Sequence, residues 1–330
     1  MFASEPPPRL EADLAGPPPA AAGTWLAPLL RRSGLFQSLV ATSAAASVLL
    51  LVAITGVVAW RAWPAWVHFG PGFLWGRQWN PITDNYGALP LIYGTLLTSL
   101  LALAVAAPLG LSVAIALSES LLPARLRTLC GFVIELLAAI PSVIYGLWGI
   151  ATVIPLTTEL GRWLFRHFNR LPVFSTMPVG PGVLPASVVL AIMILPTIAA
   201  LSRSALHQVP APLKEGAYAL GAARWDVLLH ITLPCAWSGI FGAIVLALGR
   251  AMGETMALAM LVGNSNHISP SLLAPANTIS SLLANGFGEA SGLQLSALMY
   301  LAFILMTMTL VINLLAQVLL NRPRGPAASA

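Results

Sequence analysis

Charge is what this chain has least of. Only 8% of its 330 residues are Asp, Glu, Lys or Arg, against about a quarter in an ordinary soluble domain. By contrast 58% are hydrophobic and the mean hydropathy is +0.84. Water cannot wet such a surface over its whole extent, which excludes a soluble globular protein and leaves the bilayer as solvent. Lysine is scarcer still, with Lys214 the only one in the sequence. It follows Pro212-Leu213 rather than a glycine-rich run, so the chain carries no GxxxxGK[ST] loop with which to bind ATP itself. The two cysteines, Cys130 and Cys235, belong to no CxxC pattern, and the five histidines show no HExxH spacing. Neither a disulfide framework nor a metal site is expected, and no cofactor. The apolar runs hold no nucleophile–base pattern, which argues against an intramembrane enzyme. The net charge of +5 comes from basic residues scattered at the ends of apolar runs. That is the pattern of a membrane topology signal rather than of a nucleic-acid surface.

What is present in quantity is apolar sequence in lengths that cross a membrane, about 20 residues per helix. Six such runs stand out, at roughly 33–60, 91–118, 129–154, 184–203, 236–262 and 291–320. An all-α polytopic membrane protein is therefore expected. Residues 1–32 are rich in Pro and Ala and predict a disordered tail. Residues 33–90 hold the first span and a segment with five of the ten tryptophans (Trp60, Trp63, Trp66, Trp75 and Trp79), read as an interfacial belt. The remaining spans occupy 91–320, and 321–330 form a second tail. The stretch 155–183 is polar enough to predict an external loop. Pro141, Gly146 and Pro196 mark places where spans three and four are expected to bend.

Six spans put both termini on one side. The two tails and the connections at 119–128 and 203–234 hold ten Lys and Arg, whereas the opposite loops hold Arg61, Arg77, Arg162, Arg166 and Arg170. This bias predicts cytoplasmic termini, with both cysteines at cytoplasmic helix ends, where thiols stay reduced.

The longest connection contains PAPLKEGAYALGAARWDVLLHITLP, residues 210–234. Pro210 and Pro212 suit a helix start, Leu213, Ala217 and Leu220 recur on one face, and Gly221 suits a left-handed cap. A second amphipathic stretch, from Trp225 to Leu233, leads to Pro234 at the start of the next span. On pattern alone this is equally a helix that docks into a partner's groove or an ordinary interfacial helix.

These residues carry a resemblance. Glu215-Gly216-Ala217, three residues, Gly221, nine residues, Ile231, one residue and Leu233-Pro234 reproduce the spacing of the EAA loop, EAA-x3-G-x9-I-x-LP, of bacterial ABC-importer permeases. Gly216 departs from it, standing where alanine is usual. The stretches ELLAAIPSVIYGLWG (135–149) and LGRAMGETMALAMLVGN (248–264) resemble the PstC-type permease family of the phosphate importer. Met256-Ala257 and Gly263-Asn264 separate it from the PstA type, and the likeness runs over about 90–320. The resemblance implies a type I ABC-importer permease fold in the bacterial cytoplasmic membrane. Its implied partners are a PstA-type permease, PstB-type ATPase subunits and a PstS-type phosphate-binding protein. It also implies that Glu215, Gly216, Ala217, Leu220 and Gly221 couple the permease to the ATPase.

Within the fifth run, Arg250 and Glu254 are the only charges between positions 227 and 288. An arginine at mid-bilayer costs about 2.5–3.5 kcal/mol on insertion scales, so intramembrane charges mark function by default. Spaced four apart, the two are expected on one helix face, with Gly249 and Gly253 on the neighbouring face admitting another helix closely. Arg250 offers planar donors to phosphate oxygens. Glu254 accepts a hydrogen bond from the P–OH group that phosphate keeps near neutral pH, and repels fully ionised sulfate. The alternative is a structural ion pair. Thr255 and Ser142 either line the path or bond their own backbone, and Glu135 is expected to pair with Arg125 or Arg127 or to cap a helix. The expected function is the permease subunit of an ATP-driven phosphate importer. An ABC permease for sulfate or molybdate and a proton-coupled secondary transporter are the alternatives.

Overall fold

The computed structural model describes residues 23–119 and 122–320. The expected C-terminal tail and residues 1–22 of the N-terminal tail lie outside these, whereas residues 23–32 form the first turns of a helix. The chain divides after Val57 into two compact units. The first carries most of α1 (Gly23–Phe69). Leucine and valine side chains between positions 39 and 57 are exposed. The hydroxyls of Thr42, Ser47 and Thr55 donate to main-chain carbonyls one turn back, which hides them from an apolar surround.

The second unit begins with the last turns of α1, a 3-10 turn at Gly70–Leu74, and a short antiparallel hairpin of β1 (Trp79–Asn80) and β2 (Asn85–Tyr86). Next come α2 (Leu89–Ser118), α3 (Ala124–Ala139), α4 (Ser142–Trp148), a π-helical segment at Gly149–Val153, and α5 (Ile154–Phe168). A 3-10 turn at Pro172–Phe174 leads to α6 (Val183–His207), α7 (Ala211–Ala219) and α8 (Arg224–Val227). A second π-helical segment, Leu228–Thr232, joins α8 to α9 (Leu233–Gly253), and α10 (Met256–Leu261), α11 (Ile279–Gly286) and α12 (Gly292–Leu320) complete the chain. Among the described residues six helical stretches are long and apolar enough to cross a membrane.

At the centre of the bundle is α6, with 67% of its most apolar stretch buried against 28% for α2. Apolar burial drives little association in lipid, so helices must approach closely enough to gain dispersion contacts. The sequence of α2 provides for this with Ala102, Ala106, Gly110 and Ala114, four apart and all buried. A Cβ on Gly110 would stand 2.9 Å from Ile198 Cγ2 of α6. Val189, Leu190, Ile194 and Ile198 of α6, Ala247 and Ala251 of α9, and Leu258 and Leu261 of α10 fill the same core. At the hairpin end a second core gathers Phe73, Tyr86, Leu91, Leu298 and Tyr300, with Phe73 stacked on Tyr300 at a centroid distance of 4.6 Å. At the opposite end Leu206, Val209, Ala236 and Ile240 form a third.

The third span differs from the expectation. The apolar run 129–154 is divided at Ile140 and Pro141, both extended (ψ 128° and 141°). Pro141 has no N–H to continue a helix and disfavours helical geometry in the residue before it. Its effect is a break rather than a bend. The third membrane-length stretch is therefore Ser142–Phe168, and residues 155–168 are helix, not loop. That segment reads as polar because of Glu159, Arg162 and Arg166, but these are exposed while Thr157 and Gly161 face the core. Helix α3 buries none of its residues fully, although Leu137 packs against the main core. Glu135 is exposed on it and makes no ion pair among the described residues, so neither expected pairing with Arg125 or Arg127 forms. Pro196 sits inside an unbroken α6.

Candidate functional site

The fifth span reaches the residues of interest through the middle of the bundle, where Ala247 and Ala251 of α9 lie against the core. The helix then stops. Gly253 is its last residue, Glu254 is extended (φ −66°, ψ 127°), and α10 starts two residues later at Met256. The expectation of one shared face for Arg250 and Glu254 is thus corrected: spacing predicts a shared face only where the helix continues. The two are not ion-paired. Among the described residues the ion pair present is Lys214–Glu119. Arg250 lies in the last turn of α9, where the negative end of the helix dipole favours a cation. Its Nη1 donates to Thr197 Oγ1 of α6 at 3.0 Å. Glu254 is half-buried and its folding contacts are main-chain ones: its N–H donates to Ala251 O, and its carbonyl accepts from Ser280 Oγ at 2.6 Å. The carboxylate has no partner among the described residues, so the break leaves a free acceptor one turn after an arginine that is bonded to α6.

Thr255 donates its hydroxyl to Gly253 O at 3.1 Å, satisfying its own backbone at the break. Close packing along Gly249 and Gly253 is not found among the described residues. A Cβ on Gly253 would meet nothing within 4 Å, and one on Gly249 only Asn313 Oδ1 at 4.0 Å. Two residues of this region were not legible in the sequence, Thr197 and Ser280. A lone threonine directly after Pro196 in an apolar span was the available signal for the first.

At the other end of the bundle α7 forms as its sequence dictates. Pro212 occupies the first turn, where a missing N–H costs nothing. Gly221 takes φ +85°, Ala222 N–H donates to Ala217 O, and Gly221 N–H donates to Tyr218 O. This pair of bonds satisfies the last carbonyls of a helix ending in a left-handed residue, the cap expected of Gly221. Glu215 and Gly216 are exposed, Ala217 is half-buried, and Leu220 is 91% exposed at the end of the helix. Lys214 Nζ bonds Glu119 Oε1 at 2.8 Å and fastens α7 to the end of α2.

The departure at Gly216 has a checkable consequence. A Cβ there would meet nothing within 4 Å. Gly216→Ala should leave uptake unchanged and stabilise α7 by about 0.5–1 kcal/mol, visible as slower amide exchange across 211–219. Loss of uptake would instead mean that a partner packs too closely against this position to admit a methyl group.

Residues 106–325 match the family described as binding-protein-dependent transport system inner membrane component. The chain is similar to the phosphate transport system permease protein PstC of Pasteurella multocida, 46% identical over 279 residues, covering 83% of this chain and 87% of that one. It is 43% identical over 297 residues to the protein of the same name from Xylella fastidiosa, covering 88% and 91%. Among solved structures, a bacterial alginate ABC transporter in complex with an alginate pentasaccharide-bound periplasmic protein matches with TM-score 0.56 at 17% identity, over 89% of this chain and 96% of that one. The MetNI methionine ABC transporter in an inward facing conformation matches with TM-score 0.52 at 18% identity, over 74% and 98%. At such identities these two bear on the fold alone, a type I ABC-importer permease. The chain therefore belongs to the binding-protein-dependent transport system inner membrane components, and within them to the PstC-type permeases.

Proposed function

We propose that this chain is the permease subunit of an ATP-driven importer of inorganic phosphate, forming half of the translocation path. The observation that carries this reading is its likeness, over most of its length, to permeases named for phosphate transport. The chemistry at the break in the fifth span agrees with it. Arg250 supplies donors to phosphate oxygens, and Glu254 offers an unpaired acceptor to the remaining P–OH. Sulfate, which has no proton to donate there, meets only a repelling carboxylate. Thr255 lines the same break.

The importer would be completed by a PstA-type permease, PstB-type ATPase subunits and a PstS-type binding protein. The exposed helix α7 with its Leu220 terminus would dock into the ATPase, Glu215, Gly216, Ala217 and Gly221 shaping that contact. The bias of the basic residues supports a cytoplasmic side for both termini and the 203–234 connection. Residues 33–90 would serve as first span and outer segment, and 91–320 as the transport domain. The chain does no chemistry of its own. Uptake of labelled phosphate in the native host lacking this gene, restored by the intact chain, tests the reading, with sulfate uptake measured in parallel. Restoration of phosphate uptake alone is expected. Restoration of sulfate uptake only would overturn the substrate while leaving the permease assignment in place.

A further inference from the structure

At the hairpin end of the second unit lies an open cavity of about 680 Å³, walled by Arg77, Gln78 and Asn80 on one side and by Asn264, Asn266 and His267 on the other. No carboxylate lines it. The amide side chains in its wall have their oxygens already occupied. Gln78 Oε1 accepts from Asn85 Nδ2, and Asn80 Oδ1 from the Ile82 N–H. Asn266 Oδ1 accepts from Asn277 Nδ2. Asn264 Oδ1 accepts from both Ser281 Oγ and Asn285 Nδ2. An amide whose oxygen is engaged from within has its amino group left to offer. Among the described residues the amino groups of Gln78, Asn80 and Asn266, the Arg77 guanidinium and the His267 ring donate to no protein acceptor. The cavity thus holds several unengaged donors and no carboxylate, a lining that suits an anion.

Both walls are held in place. Gly76 and Gly87 meet backbone to backbone, so closely that a Cβ on either would enter the other's main chain. Leu89 N–H donates to Gly76 O. The backbone leading into Arg77, the next residue, is held accordingly. Opposite, Gly263 (φ 91°) and Asn264 (φ 52°) form a left-handed turn. Pro275 Cβ would lie 2.7 Å from a Cβ on Gly263, so glycine is required there. The nearby hairpin carboxylate, Asp84, accepts a hydrogen bond from Tyr86 Oη at 3.1 Å. Burial, and then Asp84, push the Tyr86 phenol up to about 12, so it stays a donor to that acid. The start of α11 anchors this cavity and the break in the fifth span alike. Ser281 bonds Asn264 by its hydroxyl and Thr278 by its N–H. Thr278 shares a hydrogen bond with Ser280, which reaches the Glu254 carbonyl.

We infer that this cavity is an outer receiving site for a free inorganic oxyanion, with Arg77 and His267 as its cationic and donor walls, separate from Arg250. The inference rests on the phosphate-importer reading. Its test uses the assembled importer in nanodiscs, without binding protein or nucleotide, titrated with labelled inorganic phosphate. Both the importer and its Arg77→Gln and Arg77→Lys forms carry Arg250→Gln, so that the outer cavity alone is read. Arg77→Gln should weaken phosphate binding about tenfold or more and Arg77→Lys much less. Added salt should weaken what remains. Phosphate binding equal in Arg77→Gln and its parent overturns the inference, even if Arg77→Gln loses capture of the binding protein, because the arginine would then serve a protein contact. If the unmodified importer takes up no phosphate in cells, the underlying reading fails first and the inference with it. Intact uptake with unaltered binding in Arg77→Gln sinks the inference alone.

Discussion

Replacing Glu254 with glutamine is expected to lower phosphate uptake by one to two orders of magnitude at unchanged membrane abundance. The size follows from losing one hydrogen bond to a charged acceptor, about 1.5–3 kcal/mol, where about 1.4 kcal/mol corresponds to a factor of ten. Glutamine keeps the shape of the side chain but replaces one oxygen by an amino group, which faces the P–OH proton instead of accepting it. The variant should fold, because Glu254 holds its place through main-chain bonds to Ala251 and Ser280, and these survive the change. Loss of a structural ion pair does not explain a defect here, since Arg250 bonds Thr197 rather than Glu254. Uptake by Glu254→Gln within twofold of the intact chain would remove the carboxylate from the path.

Leu220→Asp is the second change expected to be severe. A leucine 91% exposed at the end of a capped helix is left uncovered by the described residues of its own chain, which suits an apolar anchor for a partner's pocket. Such anchors cost at least about 2 kcal/mol when truncated, and a carboxylate adds the cost of burying a charge. Co-purification of the ATPase should fall more than about thirtyfold, and uptake should fall to background. The permease itself should remain folded, because Leu220 caps α7 through its backbone and its side chain contributes to no core. Normal ATPase capture with normal uptake would make α7 an interfacial helix only.

Composition and hydropathy were enough to reveal six membrane-length helices, because apolar length is a property of the residues themselves. The left-handed cap at Gly221 was equally legible, since glycine and the spacing before it act locally. Two of the failures share a cause. Pro141 and the Gly253-Glu254 junction both end a helix inside an apolar run, and hydropathy registers solvent preference, not whether a backbone turn continues. Because the helix ends at Gly253, Glu254 leaves the face that its spacing from Arg250 assigns to it. Thr197, Ser280 and the donor-lined cavity were hidden for a different reason. Each depends on partners far away in sequence, such as Thr197 with Arg250 or Asn264 with Ser281 and Asn285, and no local pattern announces such meetings.

The tie between Lys214 and Glu119 also makes the chain its own chemical probe. Amine-reactive esters find one side-chain target in the whole sequence, and it lies on α7. An ammonium held at 2.8 Å by the carboxylate is expected to acylate more slowly than one set free, so labelling should quicken if α7 parts from the end of α2. The rate of modification at this residue thus reads the position of α7 in the unaltered protein, with no engineered cysteine or spectroscopic tag.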